Sequence, residues 1–445
     1  MSRSFKERLL IFSMLQRGDK KLINAWAFYD WANSVYSLVI ATAVFPIYFG
    51  AVTENIDTVS FLGGNFNPIT LYNYALSLSF LIVAFISPIL SGIADYTGNK
   101  MKFLKGFCLL GSLSVMCLFF FKGMDTLWVG LVFTVLASIG FWGSIVFYNA
   151  YLPEVAFPEQ QDKVSAKGFM YGYTGSVLLL LFNLVMIQKP AWFGFADASM
   201  PSRLTFVLVG IWWLGFAQIT FKRLPNNVFD KKPKDDYIWE GFRELKIVYH
   251  ELVNYPQLKT FLASFFLFSI GVQTIILMAG VFGSKELGIP TPNLIATILL
   301  VQIVAILGAF LFSRLSSRIG NISTLKITIS IWCIVCFTAF SLDKNQTNVN
   351  LYFYGLGGLL GLVQGAIQSL SRSTYSKLLP ETEDHATYFS FYDVTEKIAI
   401  VLGTFVFGVL ITLTGSMQWS VLLLAIFFLA SFIILSFVKK TKYVS

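Results

Sequence analysis

Asp30, Asp393, Glu396 and Lys397 stand inside long apolar stretches of this 445-residue chain. A charge held inside a bilayer-length helix costs about 2.5–3.5 kcal/mol or more, so each needs a partner, water or a bound solute. Asp30 lies eight or so residues past the start of its stretch, roughly 12 Å deep at ~1.5 Å per residue. Asp393 and Lys397 lie roughly 10 and 16 Å deep in theirs. They are spaced i,i+4 with the acid first, the favourable order for a pair on a helix. Glu396 points about 100° away from Lys397, which favours an interfacial place over a shared site. Two kinds of chemistry fit the set: a structural ion pair between helices, or a site for a polar solute or a proton. Tyr29 and Asn33 share a helical face with Asp30 and offer it hydrogen-bonding company.

Further polar residues line up at helical spacing. Gln364, Gln368 and Arg372 recur every four residues, and Asn149 and Tyr148 hold the corresponding place earlier in the chain. They fit the lining of a path; Arg372 fits equally a side chain reaching to the membrane surface. Gly357, Gly361 and Gly365 form one small-residue stripe, and Gly168, Gly172 and Ser176 another. Both read as close helix contacts.

The elements that must position these residues are membrane helices. Hydrophobic residues make up 56% of the chain and charged residues 13%, where a soluble domain carries roughly 25% charge. Mean hydropathy is +0.69. Such a composition excludes a soluble enzyme and a disordered chain, and the continuous apolar runs exclude the alternating pattern of a β-barrel. Runs of spanning length fall near 22–49, 70–93, 102–122, 126–150, 165–187, 204–221, 258–282, 292–313, 324–341, 350–371, 387–413 and 417–438. Twelve spans put both termini on one side. Twenty-seven of the 33 lysines and arginines fall on that side and five on the other. The positive-inside rule therefore makes the termini and the central connection, 222–257, cytoplasmic. The net charge of +9 is accounted for by this topology, and no nucleic acid is expected as a partner.

Residues 1–21 are expected to form an amphipathic cytoplasmic segment lying on the bilayer, and 439–445 a cytoplasmic tail. The central connection opens polar and turns amphipathic at Ile238, Phe242, Leu245, Tyr249 and Leu252. It reads as an interfacial helix between the six-helix halves 22–221 and 258–438. Cys333 and Cys336 make a Cys-x-x-Cys inside an apolar run, which reads as buried helix. His250 and His385 fall in expected loops. No metal cluster, nucleophile–base pair or phosphate-binding loop appears, so neither a cofactor nor an enzymatic activity is expected.

The two halves resemble each other. Gly98-Asn99 is matched by Gly320-Asn321, and Leu152-Pro153-Glu154 by Leu379-Pro380-Glu381, at equivalent places. Gly92-Ile93-Ala94-Asp95-Tyr96-Thr97-Gly98-Asn99-Lys100 resembles the signature loop of the major facilitator superfamily, in which this contact latches one state of a rocking cycle. Here Tyr96 and Asn99 stand where arginines are usual, and Ser317 replaces Asp95 in the second copy. Gly92, Asp95, Gly98 and Lys100 are the expected latch. Within that superfamily, Tyr29-Asp30-Trp31-Ala32-Asn33-Ser34, Phe147-Tyr148-Asn149-Ala150-Tyr151-Leu152-Pro153-Glu154, Gln364-Gly365-Ala366-Ile367-Gln368-Ser369-Leu370-Ser371-Arg372-Ser373 and Phe391-Tyr392-Asp393 with Lys397 resemble the vacuole effluxer-like, autophagy-related family.

The resemblance implies an all-α membrane protein with twelve helices in two pseudo-symmetric bundles, working as a secondary transporter by alternating access. Its yeast member exports amino acids from the vacuole, so a small-molecule solute of that class is the expected partner. In this reading Lys397 holds a solute carboxylate, and Asp30 or Asp393 an ammonium or a coupling proton. Tyr29, Asn33, Asn149, Gln364 and Gln368 complete the pathway. Proton coupling needs a carboxylate that burial keeps protonatable, and Lys397 nearby opposes that. A sensor or assembly protein that retains the fold is the alternative. For a bacterial chain the plasma membrane is the expected location, with a vacuolar one as the alternative.

Overall fold

The computed structural model describes residues 17–54, 56–61, 63–225 and 237–439. The amphipathic segment expected over 1–21 lies outside them as far as residue 16. So do the polar opening of the central connection, 226–236, and the tail from 440.

Twelve long helices dominate, numbered here α1–α12. The first six are α1 (Lys20–Val52), α2 (Pro68–Thr97), α3 (Lys100–Cys117), α4 (Leu127–Ala150), α5 (Gln161–Gln188) and α6 (Ser199–Phe221). An amphipathic helix, Tyr237–Leu252, then precedes α7 (Pro256–Val281), α8 (Thr291–Ile319), α9 (Asn321–Phe340), α10 (Val349–Leu378), α11 (His385–Thr414) and α12 (Met417–Leu435). A two-stranded antiparallel hairpin, β1 (Val59–Phe61) and β2 (Gly64–Phe66), links α1 to α2 and pairs Val59 with Phe66. Its tight turn uses Gly63 at a φ of 81°.

Eleven of the twelve helices are both long and apolar enough to cross a membrane. The exception, α10, has the length at 30 residues. Its glutamines, glycines and Arg372 dilute its hydropathy, and of these Gly357, Gly361, Gln364, Gly365 and Arg372 are buried against protein.

Within the first half, α3 packs on α4 and α6, α1 on α5 and α6, and α2 on α4. In the second half α8 packs on α10, α9 on α12, and α7 on α11 and α12. The halves meet through α2 with α11 and α5 with α8, and through α4 with α11 and α5 with α10. Advancing each label by six exchanges the α2–α11 contact with α8–α5, so the interface is itself pseudo-symmetric. This is the major facilitator fold.

Local chemistry explains the main irregularities. Residues Tyr36–Val44 of α1 widen into π-helix. The widening ends two residues before Pro46, which has no N–H for the preceding turn. Pro88 leaves a similar gap inside α2. Gly98 at a φ of 68° and Gly320 at 86° end α2 and α8, so each matched Gly-Asn pair marks a helix stop.

The aromatic load is divided. Trp128, Trp192 and Trp419 are exposed at the outer surface. Trp26, Trp213 and Trp332 are fully buried with Tyr148, Tyr375 and Phe121. In a bilayer no hydrophobic force drives helices together, and large flat rings give the dispersion contact that does.

Candidate functional site

Arg372 joins the two bundles on the side that carries the termini. It stands six residues before the end of α10 and is 3% exposed, so it neither reaches the membrane surface nor lies open to a path. Its guanidinium Nη1 and Nη2 lie 3.3 and 3.2 Å from Asp30 Oδ2 on α1. Nη1 also donates to Asn149 Oδ1 of α4 at 3.3 Å. Nε donates to Ser165 Oγ, and Nη2 to the Ser165 carbonyl, both at 2.9 Å on α5. Phe169 and Trp26 flank the group, with ring centres 4.2 and 4.8 Å from Cζ. A planar fork with five donors suits this setting, where a lysine would not. Tyr148 adds its hydroxyl to Asp30 Oδ2 at 2.8 Å.

Glycines let the helices come this close. A Cβ at Gly168 would collide with the Asp30 carboxylate and crowd Arg372 and Tyr148, and one at Gly172 would meet Ser34. The second stripe does the same between α8 and α10: a Cβ at Gly361 or Gly365 would strike the carbonyls of Val301 and Ala305.

Further polar contacts flank this pair on the same side. Asp95, at the end of α2, accepts from the backbone N–H of Ala386 at 3.2 Å, and from the N–H and hydroxyl of Thr387 at 2.6 and 2.8 Å. These are unfilled donors of the first turn of α11, where an anion is favoured. Gly98 caps α2, and Lys100 pairs with Glu154, which His385 meets at 3.0 Å from the other bundle. Gly92 is buried on α2, one turn before Asp95. On the opposite edge Asp162, in the first turn of α5, accepts from Lys377 at 2.7 Å, Asn321 at 2.8 Å and Ser316 at 3.0 Å. Tyr173 of α5 donates to Gln368 of α10 at 2.5 Å.

A second charged cluster lies deeper. Lys397, some 18 Å along α11 from His385 at ~1.5 Å per residue, donates to Asp393 Oδ1 at 2.8 Å and Glu396 Oε2 at 3.3 Å. Gln273 of α7 donates to Glu396 Oε1 at 2.8 Å. Across the interface Trp142 of α4 places its ring centre 3.6 Å from Lys397 Nζ.

The structure thus separates residues that the sequence left as one site. Asp30, Asn149 and Gln368 belong to the inter-bundle contacts. Asp393, Glu396 and Lys397 form the deeper cluster, with Glu396 inside it and not facing away. Gln364 is buried in α10, one turn before Gln368. Tyr29 is packed within the first bundle, with ring centres 5.1 Å from Tyr148 and 6.2 Å from Phe221. Asn33 is fully buried, and Ser34 donates weakly to it at 3.4 Å. His385 opens α11, and His250 lies in the connecting helix. Residues that the sequence did not single out are Asp162, Ser165, Trp142 and Gln273. Asp162 reads as an ordinary solvated first turn, and the others as apolar or neutral helix residues. Among the described residues no group of three or more His, Cys, Asp or Glu is placed to hold a metal ion.

Two six-helix bundles joined by polar contacts at one end, with buried charge between them, define a major facilitator transporter. Solved structures agree on the fold. The human organic anion transporter MFSD10 (TETRAN) superposes with a TM-score of 0.72 over 94% of this chain and 99% of that one, at 10% identity. The proton:xylose symporter XylE gives 0.71 over 96% and 97%, at 13% identity. The sequence profile of the family described as "Vacuole effluxer Atg22 like" matches residues 18–160 and 155–443, and the chain belongs to that family. The MFS-type transporter YxiO of Bacillus subtilis (strain 168) is 34% identical over 424 residues, covering 94% of each chain. Autophagy-related protein 22-1 of Penicillium rubens is 24% identical over 86% of this chain and 77% of its own length. The protein is a multi-pass membrane transporter and not an enzyme.

Proposed function

We propose that this transporter moves a small zwitterionic solute, an amino acid or short peptide, by rocking its two bundles about a site between them. The observation that carries the reading is the buried cluster of both signs on α11. Lys397, Asp393 and Glu396 lie in the first half of the helix, and Lys397 faces Trp142 of the other bundle. Lys397 takes the solute carboxylate and Asp393 its ammonium. In this reading Gln364 and Asn33, both buried, supply further hydrogen bonds to the solute.

The terminus-bearing side is the cytoplasmic one, by its excess of lysine and arginine. Asp95, with Gly92, Gly98 and Lys100 shaping its loop, latches that side shut, and Asp30–Arg372 is its inner gate. A coupling proton is assigned to Asp30. Protonation there weakens the hold on Arg372 and so ties proton uptake to separation of the bundles.

Counterflow in liposomes tests the reading. Vesicles preloaded with a neutral amino-acid pool should accumulate a labelled trace of it, and Lys397→Gln should abolish this. Accumulation with sugars but not amino acids would remove the solute assignment. Asp30→Asn should lose accumulation driven by a pH gradient while keeping counterflow. Equal driven accumulation by variant and wild type would remove the proton from Asp30.

A further inference from the structure

Lys397 sits in a receptor of the kind that binds ammonium groups. Its Nζ is 2.8 Å from Asp393 Oδ1, 3.3 Å from Glu396 Oε2 and 3.6 Å from the centre of the Trp142 ring. Two carboxylates supply charge, and an indole face supplies cation–π attraction. The set is drawn from both bundles, the acids from α11 and the ring from α4. Gln273 orients the outer acid by donating to Glu396 Oε1.

The cluster is also unbalanced. Two acids face one ammonium, which leaves an excess of one negative charge when both are ionised. Asp393 is 3% exposed, and its Oδ2 is buried and accepts no hydrogen bond. A buried acceptor of this kind costs free energy until a donor reaches it. Glu396 is the more open acid, its side chain 17% exposed against 3% for Asp393.

We propose that Asp393, Glu396 and Trp142 form the receptor for the solute's primary ammonium group, and that Lys397 occupies it as a tethered stand-in. This rests on the zwitterion reading above and deepens it. Without solute, Lys397 stays paired with the buried Asp393 and the partly exposed Glu396, which an alternating-access protein needs if it is to reorient empty. When a zwitterion arrives, its ammonium takes the place of Lys397 Nζ. The lysine, on a flexible four-carbon stem, turns to the solute carboxylate. The zwitterion adds no net charge, so the cluster's balance is unchanged and each ammonium keeps a carboxylate partner.

A lone amine would displace Lys397 and leave it unpaired. A lone carboxylate would have to draw Lys397 from two acids with nothing to replace it. Selection for solutes with both ends follows from the exchange itself.

The test measures melting of purified full-length protein in detergent with three probe pools: neutral α-amino acids, the matching primary amines and the matching carboxylic acids. Wild type should be stabilised by the amino acids alone, by about 2 °C or more. Lys397→Met should respond to amines as strongly as to amino acids, and Asp393→Asn placed on Lys397→Met should remove both responses. A folded Lys397→Met that ignores amines, or a wild type stabilised by the acids, overturns the proposal. Should Lys397→Met not fold, Trp142→Leu decides. It should weaken amino-acid affinity in counterflow at least tenfold, and an unchanged affinity overturns the receptor. Absence of wild-type counterflow with any amino acid defeats the zwitterion reading itself. Wild-type counterflow beside an amine-blind Lys397→Met defeats the stand-in alone.

Discussion

Arg372 gathers acceptors from α1, α4 and α5, and its strength lies in being fully spent. Removing one member of a buried pair strands the other, so single substitutions overstate what the pair is worth. A double-mutant cycle separates the two quantities. Asp30→Asn and Arg372→Gln should each lower stability more than half as much as the double variant does. Their coupling should be roughly 1–3 kcal/mol by detergent melting. A coupling near zero would mean that the ring cage of Phe169 and Trp26, not Asp30, holds the arginine. The sequence made Asp30 conspicuous because charge in an apolar run is costly whatever surrounds it. It could not name the partner. Helical spacing gives the face on which Arg372 lies, but which helix that face meets depends on how the two bundles dock, and the partners are 342 residues apart in sequence. Lys397 and Asp393 were readable as a pair because i,i+4 geometry is local. The contribution of Trp142 was not, because it comes from the other bundle.

At the scale of elements the glycine stripes mark close contact, and the contacts differ in what they protect. Gly365 on α10 faces the backbone carbonyl of Ala305, which cannot move without disturbing α8. Gly168 on α5 faces the Asp30 carboxylate and Tyr148 hydroxyl, which can move, but only by breaking the contacts of Asp30 with Arg372 and Tyr148. Gly358 on α10 faces open space. Gly365→Ala should therefore cost about 1–3 kcal/mol of stability through overpacking. Gly358→Ala should be neutral or stabilising by up to about 1 kcal/mol, since alanine is the better helix former. Melting of the two variants beside wild type checks this, and equal losses would show that the stripe is not a contact. Gly168→Ala should also loosen the contact between Asp30 and Arg372, which a stability loss alone does not reveal. Helix positions were legible throughout because apolar runs of bilayer length have few other folds available. The π-helical stretch of α1 was not foreseen. Pro46 signals a missing donor, but the chain can answer that with a kink, a water or a wider turn, and packing makes the choice.

For the whole molecule, the repeat seen in Gly98-Asn99 and Gly320-Asn321 has kept its geometry while exchanging its charges. At one edge of the interface the acid is Asp95, ending α2, and its donors begin α11. At the other, the equivalent position ends α8 in serines, and the acid, Asp162, begins α5. Ser316 and Asn321 now donate to it. Asn99 caps its own helix through Lys102 N–H, whereas its counterpart Asn321 reaches across the interface. The sequence showed the loss of the acid in the second copy. It could not show the replacement, because the compensating residue lies in a different segment. Each edge thus retains one buried carboxylate fed by donors from the opposite bundle, and no residue is shared between them. If the bundles rock as rigid bodies, both edges break in one step, and neutralising them should act multiplicatively on opening. Each charge-assisted contact is worth roughly 1.5–3 kcal/mol, so Asp95→Asn and Asp162→Asn should each raise opening at least about tenfold. The readout is labelling of Ser369→Cys, a fully buried position whose carbonyl accepts from Ser165, by a water-soluble maleimide. Cys108, Cys117, Cys333 and Cys336 are replaced beforehand. The double variant should label about a hundredfold faster than the parent. A rate near the sum of the single effects, about twentyfold, would mean that the edges fray independently and do not work as one joint.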